Sequence, residues 1–218
     1  MDTGSAVPPG SGETGIEARG AHRFTLLVRA AKLIADGREY LCVLRDASST
    51  GVKVRMFHPV PAARELALEA ASGERYPMKL MWAAQDHAGF RFDHEIDVQR
   101  LIEDRTGNLP KRQIRLNVDH PMILFSGSVA HPATLRNISQ GGACIESSHR
   151  LMLRQLVRLE VEGFPSMFAK VCWRRHPYHG MVFERGFNME ELARHMVQLH
   201  GTAAMGGIDE VVPNQKAG

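Results

Sequence analysis

The sequence contains few of the residues that mark secreted, membrane-spanning or metal-binding proteins. Its three cysteines, Cys42, Cys144 and Cys172, are an odd number at wide spacings, so we expect buried free thiols in a reducing compartment and neither disulfides nor a zinc site. No run approaches the roughly 18 consecutive apolar residues of a membrane-spanning helix. Residues 1–15 lack the charged-then-apolar order of a signal peptide. These features predict a cytoplasmic protein that does not insert into a membrane.

The sequence also lacks a surplus of charge and the usual catalytic patterns. Its 27 basic and 24 acidic residues give a net charge of +3, so we expect no DNA or RNA partner. There is no Ser–His–Asp order, paired-carboxylate layout or phosphate-loop glycine run, and we therefore expect no enzymatic activity. His176 and His179 lie three apart without a third ligand nearby, so we expect no metal site and no cofactor.

What the sequence does contain is a repeat at an offset of 91 positions. The segment "RDASSTGVKV" from Arg45 corresponds to "RNISQGGACI" from Arg136. Three further pairs of residues lie 91 apart: Trp82 and Trp173, Gly89 and Gly180, and Phe92 and Phe183. Since the chain has two tryptophans in all, chance is a poor explanation. We infer two copies of one domain.

Each copy predicts a small β-barrel followed by a helix, which makes the fold mainly β. Short apolar runs alternate with turn residues, as in barrels built from short strands. The helix of the second copy has Asn188 as its predicted N-cap and Glu191 as the capping-box partner. The helix of the first copy is expected to start near Asp93. The predicted divisions are a disordered segment 1–18, domain 1 at 19–105, a linker at 106–110, domain 2 at 111–200 and a flexible tail at 201–218.

Basic residues precede each predicted barrel at similar spacing. Arg19 and Arg23 stand four apart before the first barrel, and Arg23 precedes the polar turn at Asp46 by 23 positions. Before the second barrel, Lys111 and Arg115 stand four apart with Arg112 between them. Arg115 precedes the corresponding turn by 22 positions. Each barrel therefore has a basic arm at a nearly constant distance from its turn.

This combination of motifs resembles the PilZ family. The pattern is R-x-x-x-R, then [DN]-x-S-x-x-G, then a strand with Trp and a Gly-x-x-Phe strand, and it covers residues 19–105 and 111–200. PilZ domains are small bacterial β-barrels, many of which bind cyclic di-GMP. The first copy has the full binding pattern, in Arg19, Arg23, Asp46, Ser48 and Gly51. The second copy has Arg115, Asn137, Ser139 and Gly142, but Lys111 replaces the first arginine.

The chemistry of these residues suits a nucleotide with two phosphates and two guanines. Arginine can grip a phosphate or guanine O6 and N7 with two parallel hydrogen bonds. Asp46 can accept from guanine N1–H and N2–H, Ser48 adds a hydroxyl, and Gly51 lets the backbone approach closely. Lysine is a point charge without this fork, and Arg112 starts from a different position. We therefore predict that domain 1 is the main site, and that domain 2 is a weak site or a structural partner.

The resemblance implies a non-catalytic signalling receptor whose arm becomes ordered over the barrel when cyclic di-GMP binds, changing the surface offered to a downstream partner. An alternative is a PilZ-like interaction scaffold that binds a protein and no nucleotide. A third reading, a binder of single-stranded nucleic acid, lacks the basic surplus and exposed aromatics of such proteins. Trp82 and Trp173 are expected to pack in the core or at the barrel rim and not to stack on bases.

Overall fold

A computed structural model describes residues 24–102 and 113–205, with side chains over 29–101 and 113–201. Its mainly β architecture is the predicted one, with two closed six-stranded barrels that are each followed by a helix. None of the helices in these two ranges is both long and apolar enough to cross a membrane. The predicted segment 1–18 and linker 106–110 lie outside the described residues.

The two barrels have the same strand order, and every strand pair is antiparallel. Barrel 1 comprises β1 (Phe24–Ala35), β2 (Arg38–Ala47), β3 (Gly51–Arg55), β4 (Leu66–Glu69), β5 (Arg75–Ala84) and β6 (His87–Phe92), followed by α1 (Val98–Ile102). Barrel 2 comprises β7 (Leu116–Ser126), β8 (Val129–Ser139), β9 (Gly142–Glu146), β10 (Leu156–Glu160), β11 (Met167–Arg175) and β12 (Tyr178–Phe183), followed by α2 (Met189–Met205). The order around the sheet is first, second, third, sixth, fifth and fourth strand in both.

Alternation along the strands builds one core inside each barrel. In β3, Val52 and Val54 are buried while Lys53 is exposed, as expected when successive side chains point to opposite faces. Barrel 1 encloses a cluster that includes Leu44, and barrel 2 encloses a second, separate cluster. The outward positions of β3 and its neighbours are therefore available to form a surface site.

The first helix begins later than predicted. Helix α1 starts at Val98 and not near Asp93, because the preceding backbone is bonded to the barrel: Asp93 N donates to Pro77 O, and Ile96 N donates to Ser49 O. An amide that already donates to the barrel cannot enter a helical ladder. Asp97 then accepts from Gln99 N at 2.9 Å, as an N-cap does.

The second helix begins as the capping box predicts and ends later. Asn188 N donates to the Glu191 carboxylate, and Glu191 N donates to Asn188 Oδ1, both at 2.9 Å. The helix has one buried apolar stripe, which consists of Leu192, Met196 and Leu199. The helix continues to Met205, which is inside the segment 201–218 that the sequence predicts as a tail. Residues 206–218 lie outside the described residues.

The two barrels are joined by a buried polar contact as well as by apolar packing. Leu41, on β2 of barrel 1, belongs to the core cluster of barrel 2. Two residues earlier, the Glu39 carboxylate accepts from Asn117 N at 2.7 Å and from Asn117 Nδ2 at 2.8 Å. Lys32 Nζ lies 3.0 Å from Glu39 and 2.8 Å from Glu69. The barrels therefore share an interface in which β2 of barrel 1 packs against β7 and α2 of barrel 2.

The three cysteines are free thiols, but one prediction about them is wrong. Cys42 and Cys144 are buried, whereas Cys172 is exposed. Cys172 lies on β11, where side chains alternate between the two faces of the sheet: Val171 is buried inside the barrel, and Cys172 therefore points outward. Strand-like context alone therefore did not determine the burial of this thiol.

Candidate functional site

The polar turn of barrel 1 forms one wall of a cavity of about 500 Å³. The other wall is the hairpin of β5 and β6, which contributes Trp82 and Arg91. The structure thus brings three predicted site residues to one cavity: Asp46, Ser48 and Gly51. Arg19 and Arg23 lie outside the described residues.

Serine and glycine of the motif shape the turn itself. Ser48 N donates to Gly51 O at 2.8 Å, and the buried Ser48 hydroxyl donates to the same carbonyl at 3.4 Å. A Cβ atom on Gly51 would stand 2.6 Å from Phe90 O on the neighbouring strand, closer than non-bonded atoms pack. The close approach that requires glycine is therefore between β3 and β6, and these two residues fix the turn that presents Asp46.

Asp46 lies on β2 opposite Lys53 on β3, next to a register irregularity that follows Leu44. Both side chains line the cavity, together with Arg91 from β6. Lys53 and Arg91 are exposed, and neither forms a salt bridge with a carboxylate among the described residues. The cavity therefore presents two available cations and one acid, which suits an anionic ligand that also carries hydrogen-bond donors.

Sequence reasoning missed Lys53 and Arg91 as site residues. The alternation of apolar and basic residues in "GVKVRMF" signalled that Lys53 faces outward. It did not place Arg91, which is 38 positions later, beside the turn. Only the pairing of β3 with β6, in which Gly51 faces Arg91, brings them together.

The tryptophans lie at the barrel rim. Trp82 is 45% exposed and Trp173 is 42% exposed, so of the two predicted positions, core or rim, the structure has the rim. Trp82 pairs with Gly89 across β5 and β6, and its indole covers the position where a side chain on Gly89 would stand. Lys53 Nζ lies 5.9 Å from the centre of the Trp82 ring. One indole face is thus held by the barrel, and the ring lines the cavity.

In barrel 2 the arm contacts the polar turn. Arg115 Nη1 donates to Asn137 Oδ1 at 2.8 Å, and Gln113 Oε1 accepts from Gly141 N at 2.8 Å. Ser139 donates to the Gly142 carbonyl at 3.1 Å, the same turn geometry as in barrel 1. The structure therefore brings together all the predicted residues of this site that it describes. Lys111 and Arg112 lie outside the described residues.

The second turn lacks the cations of the first. The positions that correspond to Lys53 and Arg91 carry Cys144 and Val182. Burial raises the pKa of the Cys144 thiol, so it is neutral at pH 7, and Val182 is 50% exposed. Apart from Arg115, this face is thus less suited to an anion than its counterpart in barrel 1.

Residues 110–199 match the PilZ domain family. The match spans barrel 2 and most of α2, and it includes the Arg115 arm. No curated protein matches the chain. The segment that matches this family therefore comprises the second barrel and most of its helix, and barrel 1 repeats the strand order of that barrel.

Solved structures with some similarity include three in complex with c-di-GMP. PlzA of Borreliella burgdorferi is 13% identical, with 82% of this chain and 93% of that chain covered and a TM-score of 0.35. MrkH of K. pneumonia is 10% identical, with 82% of this chain and 88% of that chain covered and a TM-score of 0.31. YcgR of Escherichia coli is 12% identical, with 85% of this chain and 89% of that chain covered and a TM-score of 0.29. At these TM-scores the similarities are too low to carry an inference about this chain.

Proposed function

We propose that this protein is a non-catalytic receptor for cyclic di-GMP, built from two tandem PilZ barrels, with its main nucleotide site on barrel 1. The observation that carries the proposal is the Arg115–Asn137 hydrogen bond of 2.8 Å in barrel 2. It supports an arm that reaches the polar turn from the segment before the barrel. The repeat assigns the same relationship to Arg23 and Asp46.

The cavity of barrel 1 fits the ligand in size and in charge. Its volume of about 500 Å³ falls within the roughly 300–1,000 Å³ of small-molecule sites. Lys53 and Arg91 would face the phosphates. Contrary to the expectation from the sequence, the exposed Trp82 also offers an indole face to a base. Stacking of a base on an aromatic ring contributes on the order of 1–3 kcal/mol.

Asp46 is assigned to a guanine and not to a phosphate. A carboxylate repels a phosphate, but it can accept from the N1–H and N2–H donors on the edge of guanine. Arg19 and Arg23 would then close over the ligand from the arm, reading O6 and N7 or gripping a phosphate. Binding would order the arm against the barrel, so part of the interaction free energy offsets the entropy lost by the arm. The ordered arm changes the surface that a downstream protein partner meets.

Calorimetric titration of the full chain with cyclic di-GMP tests this assignment. We expect near one ligand unit per barrel 1 site, with affinity at least tenfold weaker in Arg23→Ala and in Asp46→Ala. Loss of one bidentate contact costs about 1–3 kcal/mol, or roughly 5- to 150-fold in affinity. Arg91→Ala should weaken binding as well, although it is absent from the motif.

Arg64→Ala is the matched control. Arg64 is exposed, and its backbone is bonded to Asp36 in the β1–β2 turn, at the end of β2 away from Asp46. Its removal takes away one positive charge and should leave the affinity unchanged. Unchanged affinity in both Arg23→Ala and Asp46→Ala would remove the assigned site.

A second function, protein docking without nucleotide, is favoured for barrel 2 by its exposed Val182. Lys111→Arg separates the two readings when it is made in the Arg23→Ala background. If barrel 2 is a weakened nucleotide site, this change should restore measurable binding of cyclic di-GMP. If the barrel serves only as a docking surface, the titration should stay flat.

A further inference from the structure

A second cavity, of about 310 Å³, lies on barrel 2 away from the polar turn. It is formed where β11 turns into β12 and where the connection between β9 and β10 passes over that turn. In the β12–β9 register, Val182 faces Gly142 at the polar turn, whereas Tyr178 faces Glu146 at the opposite end. Four residues of strand separate the two ends, or about 13 Å. The cavity is therefore distinct from the proposed nucleotide site.

Four basic or titratable side chains line this cavity: Arg150, Arg174, His176 and His179. His179 is the most deeply buried of the four, at 2% exposed, and the backbone of Pro177 lies within hydrogen-bonding reach of its imidazole. Arg174 Nη1 donates to Leu151 O at 3.2 Å, which holds the guanidinium at the cavity wall.

The positive groups around His179 are not balanced by acids. Burial is the main cause that lowers the pKa of His179. His176, His149 and Arg174 act in the same direction, and a hydrogen bond with the Pro177 backbone opposes them. Within residues 29–101 and 113–201, no carboxylate forms a salt bridge with Arg150 or Arg174. Glu146, the acid at this end of β9, is paired with Arg136 at 2.7 Å.

The barrel fold does not require this basic cluster, since barrel 1 lacks it. The positions 91 residues earlier carry Pro59, Ala83, Gln85 and Ala88. At the same end of barrel 1, Arg55 is neutralised by Asp86 at 2.7 Å. Positive charges gathered in a cavity repel one another, so their collection without an acid indicates a site for an anion.

We propose that this cavity of barrel 2 binds the phosphate group of a small molecule. The guanidinium groups of Arg150 and Arg174 provide forked donors that match phosphate oxygens. The imidazoles of His176 and His179 add ring N–H donors. The volume admits a phosphate with a small attached group, so the source is either free phosphate or a phosphate monoester.

Titration of the full chain with inorganic phosphate and, separately, with AMP tests the proposal and distinguishes the two sources. Chemical shifts of the histidine ring protons report occupancy. We expect saturable shifts of His176 and His179 with at least one of the two probes, and an affinity at least tenfold weaker in Arg174→Gln and in Arg150→Gln.

Arg154→Gln is the control, since Arg154 is exposed on the same connection but does not line the cavity. It should keep the parent affinity. Arg150 is exposed, so its variant tests the site even if Arg174→Gln alters the fold. Absence of saturable shifts with both probes would overturn the proposal. So would equal weakening by Arg154→Gln, or unchanged affinity in both Arg150→Gln and Arg174→Gln.

Discussion

Replacement of Glu39 by glutamine should destabilise the whole chain, because this side chain joins the two barrels. Glu39 is 5% exposed. Its carboxylate accepts two hydrogen bonds from Asn117 and forms an ion pair with Lys32. Glutamine keeps the shape but loses the charge, and its amide group presents donors where acceptors are needed.

The expected loss is about 3 kcal/mol of unfolding free energy. Breaking a buried ion pair costs about 3–5 kcal/mol when one partner is left uncompensated. Here Lys32 keeps Glu69 at 2.8 Å, which lowers the cost. The two donors of Asn117 raise it again, since hydrogen bonds to charged groups each contribute about 1.5–3 kcal/mol. The result should therefore fall near the lower end of the buried-pair range.

Urea denaturation of the full chain measures this loss, with Asp86→Asn as the control. The Arg55–Asp86 pair has side chains 37% and 44% exposed, and solvent screens a pair this exposed, so its loss should have little effect on stability. Trp82 and Trp173 lie in different barrels, so Trp82→Phe and Trp173→Phe backgrounds report each barrel separately. A loss in Glu39→Gln no larger than that in Asp86→Asn would refute the reasoning.

Three further predictions concern single side chains. Gly89→Ala should displace the indole of Trp82, which covers that position; tryptophan fluorescence should change, and cyclic di-GMP affinity should fall at least tenfold. A thiol reagent should label the exposed Cys172 quickly in the native protein and Cys42 only after unfolding, because burial raises the pKa of Cys42 to about 12. Burial also lowers the pKa of His200, so the unfolded chain takes up a proton that the folded chain resists, and stability falls as the pH drops below about 6.5. His200→Gln should flatten that slope in denaturation measured between pH 7 and 5.

Much of the fold followed from the repeat and from local turn chemistry. The spacing of Trp82 and Trp173 predicted two copies, and Asn188 with Glu191 predicted the start of α2. The capping box is a local pattern and the repeat is a comparison of the sequence with itself, so neither depends on how the strands pair. The start of α1 depended on hydrogen bonds from Asp93 and Ile96 to distant carbonyls, and no local pattern contains that information.

For the candidate site, too, the residues close in sequence were predicted and those brought together by strand pairing were not. The motif marked Asp46, Ser48 and Gly51, which are close in sequence, and the structure places them at one cavity. Arg91 reaches that cavity only through the pairing of β3 with β6. The exposure of Trp82 likewise follows from a register irregularity after Leu80, which turns the alternation of the strand. Cross-strand neighbours and bulges are tertiary facts that one sequence does not display.

The bond from Glu39 to Asn117 also decides whether the two repeats are separable pieces. Cutting the chain between them would bring Leu41 into water and strand both donors of Asn117 without their acceptor. Either half expressed by itself would thus be destabilised at the exposed interface, although the duplication in the sequence suggests two independent domains. The ligand affinity of an isolated half would therefore reflect this loss of stability as well as the contacts with the ligand.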